Sequence, residues 1–297
     1  MKKIFLIFIA AILFSGCEKN ENTDYAQINI FVSIAPLKFF TERIGSDRIK
    51  IDLMVMPGRN PATYEPTPEQ VIALAEADLF FTIGVPFENS FIPKIEETLS
   101  SLIIKDVTAG IEKRQLFEHH HEDEPHETEK IYEYNFPDPH TWLSPVLAKT
   151  ICVNILNALI NADPEGEDYY TENYMILSEK LDTLHSELTE IFEPYKGKSF
   201  LVFHPSFGYL ADQYGIIQLA IESRGKEPGP YELEKIIEHA KEDNISIIFT
   251  QPEFSKRSAE VIAESINGTV VILSTLNPDY INNLRIIAGE IVKELEN

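Results

Sequence analysis

The sequence predicts an α/β protein with two lobes, each a mostly parallel four-stranded sheet flanked by helices, joined by one long linker helix. From residue 28 onward, short β-branched or aromatic runs alternate with helical segments, which is typical of parallel sheets. The alternation occurs twice, and a long amphipathic stretch separates the two halves. We therefore expect an N-terminal lobe over 28–164, a linker helix over 165–195 and a C-terminal lobe over 196–297.

The first half contains four strand-like runs and one clear helix start. Strands are predicted at residues 28–34, 50–56, 79–83 and 102–107. Thr67 offers an N-cap hydroxyl, Pro68 suits the first helical position, and Gln70 completes a capping box. These three residues predict a helix over 67–77.

The linker is predicted from the spacing of its apolar residues. Residues 167–193 contain neither proline nor glycine, and apolar side chains recur every three or four positions, which is the spacing of one helix face. These side chains are Tyr170, Tyr174, Leu177, Leu181, Leu184, Leu188 and Ile191. A helix of this length can brace both lobes, and a crossover helix within one larger domain is the alternative.

The second half repeats the scheme of the first. Strands are predicted at residues 199–203, 216–221, 246–250 and 270–273. Helices are predicted near 230–243 and 256–267, and a last helix from 279 to the end.

The N-terminus indicates export and a lipid anchor. Lys2 and Lys3 precede the apolar run 4–14, which is too short to span a bilayer and is followed by Ser15, Gly16 and Cys17. This ending resembles a bacterial lipobox, so residues 1–16 are predicted to be a signal peptide, Cys17 the lipidated residue and 17–27 a polar tether. An ordinary cleaved signal is the alternative. We expect the protein outside the cytoplasm, anchored to the cell membrane on its periplasmic or outer face, and no later apolar run long enough to cross a membrane.

The strong negative charge limits the classes of ligand. The formal net charge is −23, and removing the signal with its two lysines makes it −25. Nucleic acid would be repelled by such a surface, whereas cationic solutes are compatible with it, and simple solubility is the alternative. If Cys17 is lipidated, Cys152 has no partner, and its apolar surroundings predict a buried thiol.

Polar turns follow the predicted strands of both lobes and carry the candidate site. His204 and Glu222 close two strands of the second half, and His140 lies in a polar turn near the end of the first. Ligands of open α/β sheets bind beyond the carboxyl ends of the strands. The sequence therefore predicts a ligand site between the lobes.

The chain resembles the zinc and manganese solute-binding lipoproteins of bacterial ABC importers over nearly its whole mature length. The motifs that carry the resemblance are Tyr64-Glu65-Pro66-Thr67-Pro68, Asp138-Pro139-His140 with Trp142-Leu143-Ser144-Pro145, His204-Pro205-Ser206-Phe207-Gly208-Tyr209, and Phe249-Thr250-Gln251-Pro252. The resemblance implies a monomer that binds one divalent metal in its cleft and delivers it to a membrane permease and its ATPase.

The resemblance carries over two metal ligands, His140 and His204. Ala62 stands where the family usually supplies another histidine, and Ser274 where it usually supplies a carboxylate. A zinc site needs four ligands, or three and a water. The candidates for the remaining positions are Glu65, Glu222 and Asp279, although each also has an ordinary structural role in its turn, strand end or helix cap.

A histidine-rich segment over 118–129 indicates a second, looser kind of metal binding. It is acidic and of low complexity, so it is predicted to be a disordered loop. Its histidines are His119, His120, His121 and His126. Imidazole and carboxylate suit zinc, although nickel and copper accept the same ligands. Because such loops decorate the zinc branch of the resembling family, zinc is the predicted metal, with manganese or another divalent metal as the alternative.

Three other functions compete with a lipid-anchored metal receptor. A receptor with a diverged cleft could bind another metal or a small non-metal solute, since Ala62 enlarges the cleft. An extracytoplasmic hydrolase using His140 and His204 is disfavoured, because the sequence has no Gly-x-Ser-x-Gly elbow and no His-Glu-x-x-His helix. A pure adhesin or scaffold would need no cleft ligand. We expect no enzymatic activity.

Overall fold

The computed structural model describes residues 27–116, 137–222, 229–254 and 256–296, and it confirms the predicted fold class. The strands of the first sheet are β1 (Ile28–Val32), β2 (Ile49–Leu53), β3 (Leu79–Thr82) and β4 (Ile103–Asp106). The strands of the second are β5 (Ser199–Val202), β6 (Ile217–Ala220), β7 (Ile247–Thr250) and β8 (Thr269–Ile272). All pairings within the two sheets are parallel, in the orders β2-β1-β3-β4 and β6-β5-β7-β8. Both sheets therefore present the carboxyl ends of their strands along one edge.

Nine α-helices lie within the described ranges. They are α1 (Ala35–Gly45), α2 (Pro68–Leu74), α3 (Pro86–Glu96), α4 (Pro145–Ala162), α5 (Glu167–Phe192), α6 (Gly208–Tyr214), α7 (Pro230–Glu242), α8 (Lys256–Ser265) and α9 (Tyr280–Leu295). The start of α2 is as predicted: Gln70 N donates to Thr67 Oγ1 at 3.3 Å, and Thr67 N donates to Gln70 Oε1 at 3.0 Å. Its end comes three residues earlier than predicted, because the chain turns there to enter β3, with Asp78 N donating to Asn29 O at 2.9 Å.

The linker helix α5 lies between the sheets and is part of the largest apolar core. Its face of Leu177, Leu181, Leu184 and Leu188 is almost completely buried. That core runs from the first sheet through α1, α4, α5 and α9 to one face of the second sheet, while a smaller cluster fills the other face beneath α7 and α8. The linker therefore packs against both lobes.

Helix α4 corrects one sequence-based expectation. Among the described residues, α4 is a helix with the length and apolar composition needed to cross a membrane. We had expected no such helix after the N-terminal apolar run. Its Ile151, Cys152 and Ile155 are completely buried in the core, and its Lys149 Nζ contacts Asp182 Oδ1 of α5 at 2.6 Å. We therefore interpret α4 as an interior helix. The prediction of a buried, free Cys152 is confirmed, and burial raises the pKa of its thiol far above the ordinary value.

A buried carboxylate holds the turn between β3 and α3. Glu88 is 2% exposed, and its carboxylate accepts hydrogen bonds from Ile83 N at 3.1 Å and Gly84 N at 2.7 Å. Burial raises the pKa of Glu88 from 4.5 to about 7, against the opposite effect of these backbone donors. The protonated acid is thus favoured in the native state, so its contribution to stability is full below pH 4.5 and is lost as the pH rises to about 7.

We expect Glu88→Gln to remove this pH dependence. Between pH 4.5 and 7 the free energy of unfolding of the wild type should fall by about 3 kcal/mol relative to that of the variant, because a shift of one pKa unit corresponds to about 1.4 kcal/mol. Urea unfolding of both proteins across this range measures the difference. Glu96→Gln, on the exposed end of the same helix, is the control and should follow the wild-type profile. Parallel profiles for wild type and Glu88→Gln would contradict the prediction.

Candidate metal centre

The imidazole of His140 is held by the carboxylate two residues before it. Asp138 Oδ1 accepts a hydrogen bond from His140 N at 2.9 Å and lies 2.7 Å from His140 Nδ1. Asp138 is completely buried, and His140 is 9% exposed. Because Nδ1 is occupied by the carboxylate, Nε2 is the ring nitrogen left to bind a ligand.

The imidazole of His204 is held in the same way, by a carboxylate from the neighbouring strand. Since β5 and β6 pair in parallel, the residues that follow them come together, and His204 Nδ1 lies 2.7 Å from Glu222 Oε2. The ring also stacks on Phe254, with centroids 4.7 Å apart and an interplanar angle of 22°. Burial lowers the pKa of His204, despite the opposing effect of Glu222, which favours the neutral form that binds metals.

The two histidines meet between the lobes. Their ring centroids are 5.4 Å apart, with an interplanar angle of 71°. Each ring has a carboxylate at Nδ1, an arrangement that fixes the tautomer and raises the basicity of metal-binding histidines. The pair can therefore offer two Nε2 atoms to one divalent cation. Glu222, a candidate ligand in the sequence, lies where it orients His204.

Hydrogen bonds across the lobes fix the turn that carries His140. Trp142 Nε1 donates to Thr275 O at 2.9 Å, and Tyr280 Oη donates to Trp142 O at 2.6 Å. The Trp142 ring lies 5.2 Å from that of His140, measured between centroids. The position of His140 relative to His204 thus depends on contacts between residues more than 130 positions apart.

A cavity of about 180 Å³ lies between the lobes, at the carboxyl ends of the strands. Ser274 lines it, and so does Glu253, an acidic residue that our sequence analysis did not select. Burial raises the pKa of Glu253. Glu253 directly precedes Phe254, whose ring stacks on His204. The signal in the sequence was its position just after β7, at the same sheet edge as the predicted site.

The remaining candidate residues are placed differently. Glu65 and Ala62 are exposed in the turn region after β2, where Asn60 Oδ1 accepts from Ala62 N at 2.8 Å. Asp279 begins α9 without a side-chain cap, accepts a hydrogen bond from Asn282 Nδ2 at 2.8 Å, and lines a separate groove between α1 and α5. Across the described ranges, no three or more His, Cys, Asp or Glu side chains form a cluster that could hold a metal.

Several predicted features lie outside the described residues. They are the signal and tether over 1–26, Cys17, and the histidines His119, His120, His121 and His126.

Two α/β lobes with parallel sheets, joined by a long helix and with a histidine pair between them, define the class of two-lobed solute-binding proteins. The chain belongs to the family described as ZnuA, zinc-uptake complex component A periplasmic, whose profile matches residues 30–294. This confirms the resemblance identified in the sequence. The family provides the solute-binding protein of metal uptake systems and not an enzyme.

Individual relatives agree with this assignment and differ in the metal. A Bacillus subtilis (strain 168) protein named high-affinity zinc uptake system protein ZnuA is 28% identical, and the match covers 92% of this chain and 88% of that protein. The manganese ABC transporter substrate-binding lipoprotein PsaA of Streptococcus anginosus is 26% identical over 90% of this chain and 87% of its own length. A crystal structure of ZnuA matches with a TM-score of 0.82 and 34% identity, covering 91% of this chain and 99% of that one.

Proposed function

We propose that this protein is the lipid-anchored, extracytoplasmic substrate-binding component of an ABC importer, with zinc as its cargo. The observation that carries the proposal is the pair of imidazoles 5.4 Å apart between the lobes, each with a carboxylate at Nδ1. Cargo bound there would be shared by both lobes, 28–164 and 196–297.

His140 and His204 are the proposed protein ligands, through Nε2. Glu222 and Asp138 then act as hydrogen-bond partners that orient the rings, as in other carboxylate–histidine–zinc arrangements. Glu253 is the first candidate for a carboxylate ligand, because it lines the cavity between the lobes and precedes Phe254, which stacks on His204. Since no three such side chains cluster among the described residues, Glu253 would have to approach the histidine pair when the metal binds. Water completes the coordination. Glu65, exposed beyond the cleft, and Asp279, in its separate groove, are weaker candidates.

Zinc is preferred over manganese because of the donor atoms. Neutral imidazoles suit zinc, whereas manganese favours carboxylate, carbonyl and water oxygens. The histidines of the 118–129 segment favour the same metal. A cleft that takes another metal or a small non-metal solute is the second candidate, supported by Ala62, Ser274 and the cavity of about 180 Å³.

The proposed partners follow from the lipobox and the family. Cys17 would carry the diacylglyceryl group, and two acyl chains give stable membrane anchoring where one does not. The permease and ATPase of the importer would then receive the metal at the membrane. The proposed monomer has two lobes that share one core through α5.

Calorimetric titration with zinc tests the proposal. The test compares the wild type with a loop-substituted chain, in which His119, His120, His121 and His126 are all asparagine. We expect the loop-substituted chain to bind fewer zinc ions and to keep the tightest one. The physical reason is that a segment predicted from its sequence to be disordered must lose chain entropy to organise a site, whereas residues at strand ends are already positioned. Loss of the tightest binding event with the loop histidines would show that the cleft is not the principal site.

A further inference from the structure

Arg114 lies in the first lobe and contacts the second lobe beside Asp138, the carboxylate that holds His140. Its Nη1 is 3.7 Å from Asp138 Oδ2, and its Nε is 3.1 Å from Asp212 Oδ2 on α6. Its Cζ lies 6.0 Å from the ring centroid of Tyr209 on the same helix. One guanidinium thus faces the carboxylate that holds His140 and also a carboxylate of the opposite lobe.

Main-chain contacts fix Arg114 and Asp138 against each other. Asp138 N donates to Arg114 O at 2.8 Å. The hydroxyl of Tyr209 accepts from Arg114 N at 3.1 Å and donates to Asp138 O at 3.0 Å. The second lobe therefore contacts both residues through a single side chain.

Gly208 provides the space that the guanidinium occupies. A Cβ at this position would lie 1.3 Å from Arg114 Nη1 and 2.5 Å from Arg114 Cζ. The φ angle of Gly208 is outside the left-handed region, so the backbone does not require glycine here. Any side chain at position 208 would displace the guanidinium while leaving its charge on the protein.

Asp138 depends on Arg114 for its second oxygen. Oδ1 is used by His140, whereas Oδ2 accepts no hydrogen bond from the described residues and has the guanidinium as its charged neighbour. A completely buried carboxylate that loses its cation is strongly destabilised in place, so it would turn away from its present orientation.

We propose that Arg114 is a positioning residue of the metal site, which holds Asp138, and through it His140, in an orientation set by the second lobe. The inference rests on the proposed function, because it assumes that His140 binds the metal. Partners of metal-binding histidines typically change metal affinity by 10–100-fold when they are altered. Arg114 acts one step further out, so an effect at the lower end of that range is expected.

The test measures zinc affinity by competition with a chelator, in the full-length loop-substituted chain. Arg114→Met keeps the apolar stem and removes the guanidinium, and Gly208→Ala displaces the guanidinium without removing its charge. Both variants should bind zinc about tenfold more weakly. In the Asp138→Asn background, Arg114→Met should have little further effect, since Arg114 acts through Asp138.

Arg285→Met is the matched control. Arg285 forms a two-contact ion pair with Glu187 at 2.7 and 3.1 Å, between α9 and α5 and away from the histidines. Loss of this ion pair in Arg285→Met should lower the melting temperature of the metal-free protein without changing its zinc affinity. Unchanged affinity in both Arg114→Met and Gly208→Ala, with binding still lost in His140→Ala, would overturn the positioning role and leave the proposed function intact. Absence of tight zinc binding in the parent chain would overturn both.

Discussion

Replacing either His140 or His204 with alanine is expected to weaken zinc binding in the cleft by at least about a hundredfold. Changing a partner that only orients a metal-binding histidine already costs 10–100-fold, so removal of the ligand itself should cost no less. A hundredfold loss corresponds to about 2.7 kcal/mol of binding free energy. Chelator competition in the loop-substituted chain gives the affinity of the cleft, because the loop histidines that we expect to bind zinc weakly are replaced.

His185→Ala is the control for the loss of an imidazole as such. His185 is a half-buried histidine on α5, with Nδ1 3.3 Å from the hydroxyl of Tyr214. The His185→Ala variant should be slightly less stable than the wild type and should bind zinc with unchanged affinity. If the two cleft variants bind zinc as tightly as the wild type, the histidine pair is not the metal site.

The second large effect is a gain of affinity when the two absent family ligands are restored. The variant combines Ala62→His, in the turn region after β2, with Ser274→Asp, two residues after β8. Ser274 lines the cavity between the lobes, and Ala62 is exposed in a turn whose Pro61 O accepts from Phe87 N at 3.2 Å. Each added ligand would replace a water or a poorly placed group, so the double variant should gain at least about 2 kcal/mol of zinc binding, or about thirtyfold.

Two controls separate new ligands from added bulk. Ala62→Gln combined with Ser274→Asn brings similar volume without imidazole or carboxylate, and it should not produce the gain. The gain should also disappear when His140 and His204 are alanine, because the new groups would then lack half of the site. Unchanged or weakened affinity in the restored variant would mean that other groups, such as Glu253, already complete the coordination, or that metal is not the cargo.

The repeated alternation of strands and helices was sufficient to predict both sheets and the helix between them. The spacing of buried apolar side chains follows from the local geometry of a helix or strand, so the buried face of α5 could be predicted from the sequence. The capping box of α2 could be predicted as well, because it involves only residues close in the sequence. The two histidines could also be selected from the sequence, since each lies in a polar turn with a recognisable motif. The ends of helices were less predictable, as α2 shows. A helix can end where the chain must turn to enter the next strand, and that point depends on tertiary packing.

The side chains that contact those histidines could not be predicted in the same way. Glu222 was predicted as a possible ligand, and the parallel pairing of β5 and β6 places it instead at His204 Nδ1. Arg114 was not predicted at all, because the carboxylates near its guanidinium, Asp138 and Asp212, lie at a distance from it in the sequence. Apolar burial is non-directional and only brings the lobes together, whereas hydrogen bonds and ion pairs require a definite distance and orientation. Local patterns therefore specify which elements form and which turns carry chemistry, and the packing of the lobes specifies which side chains meet in the cleft.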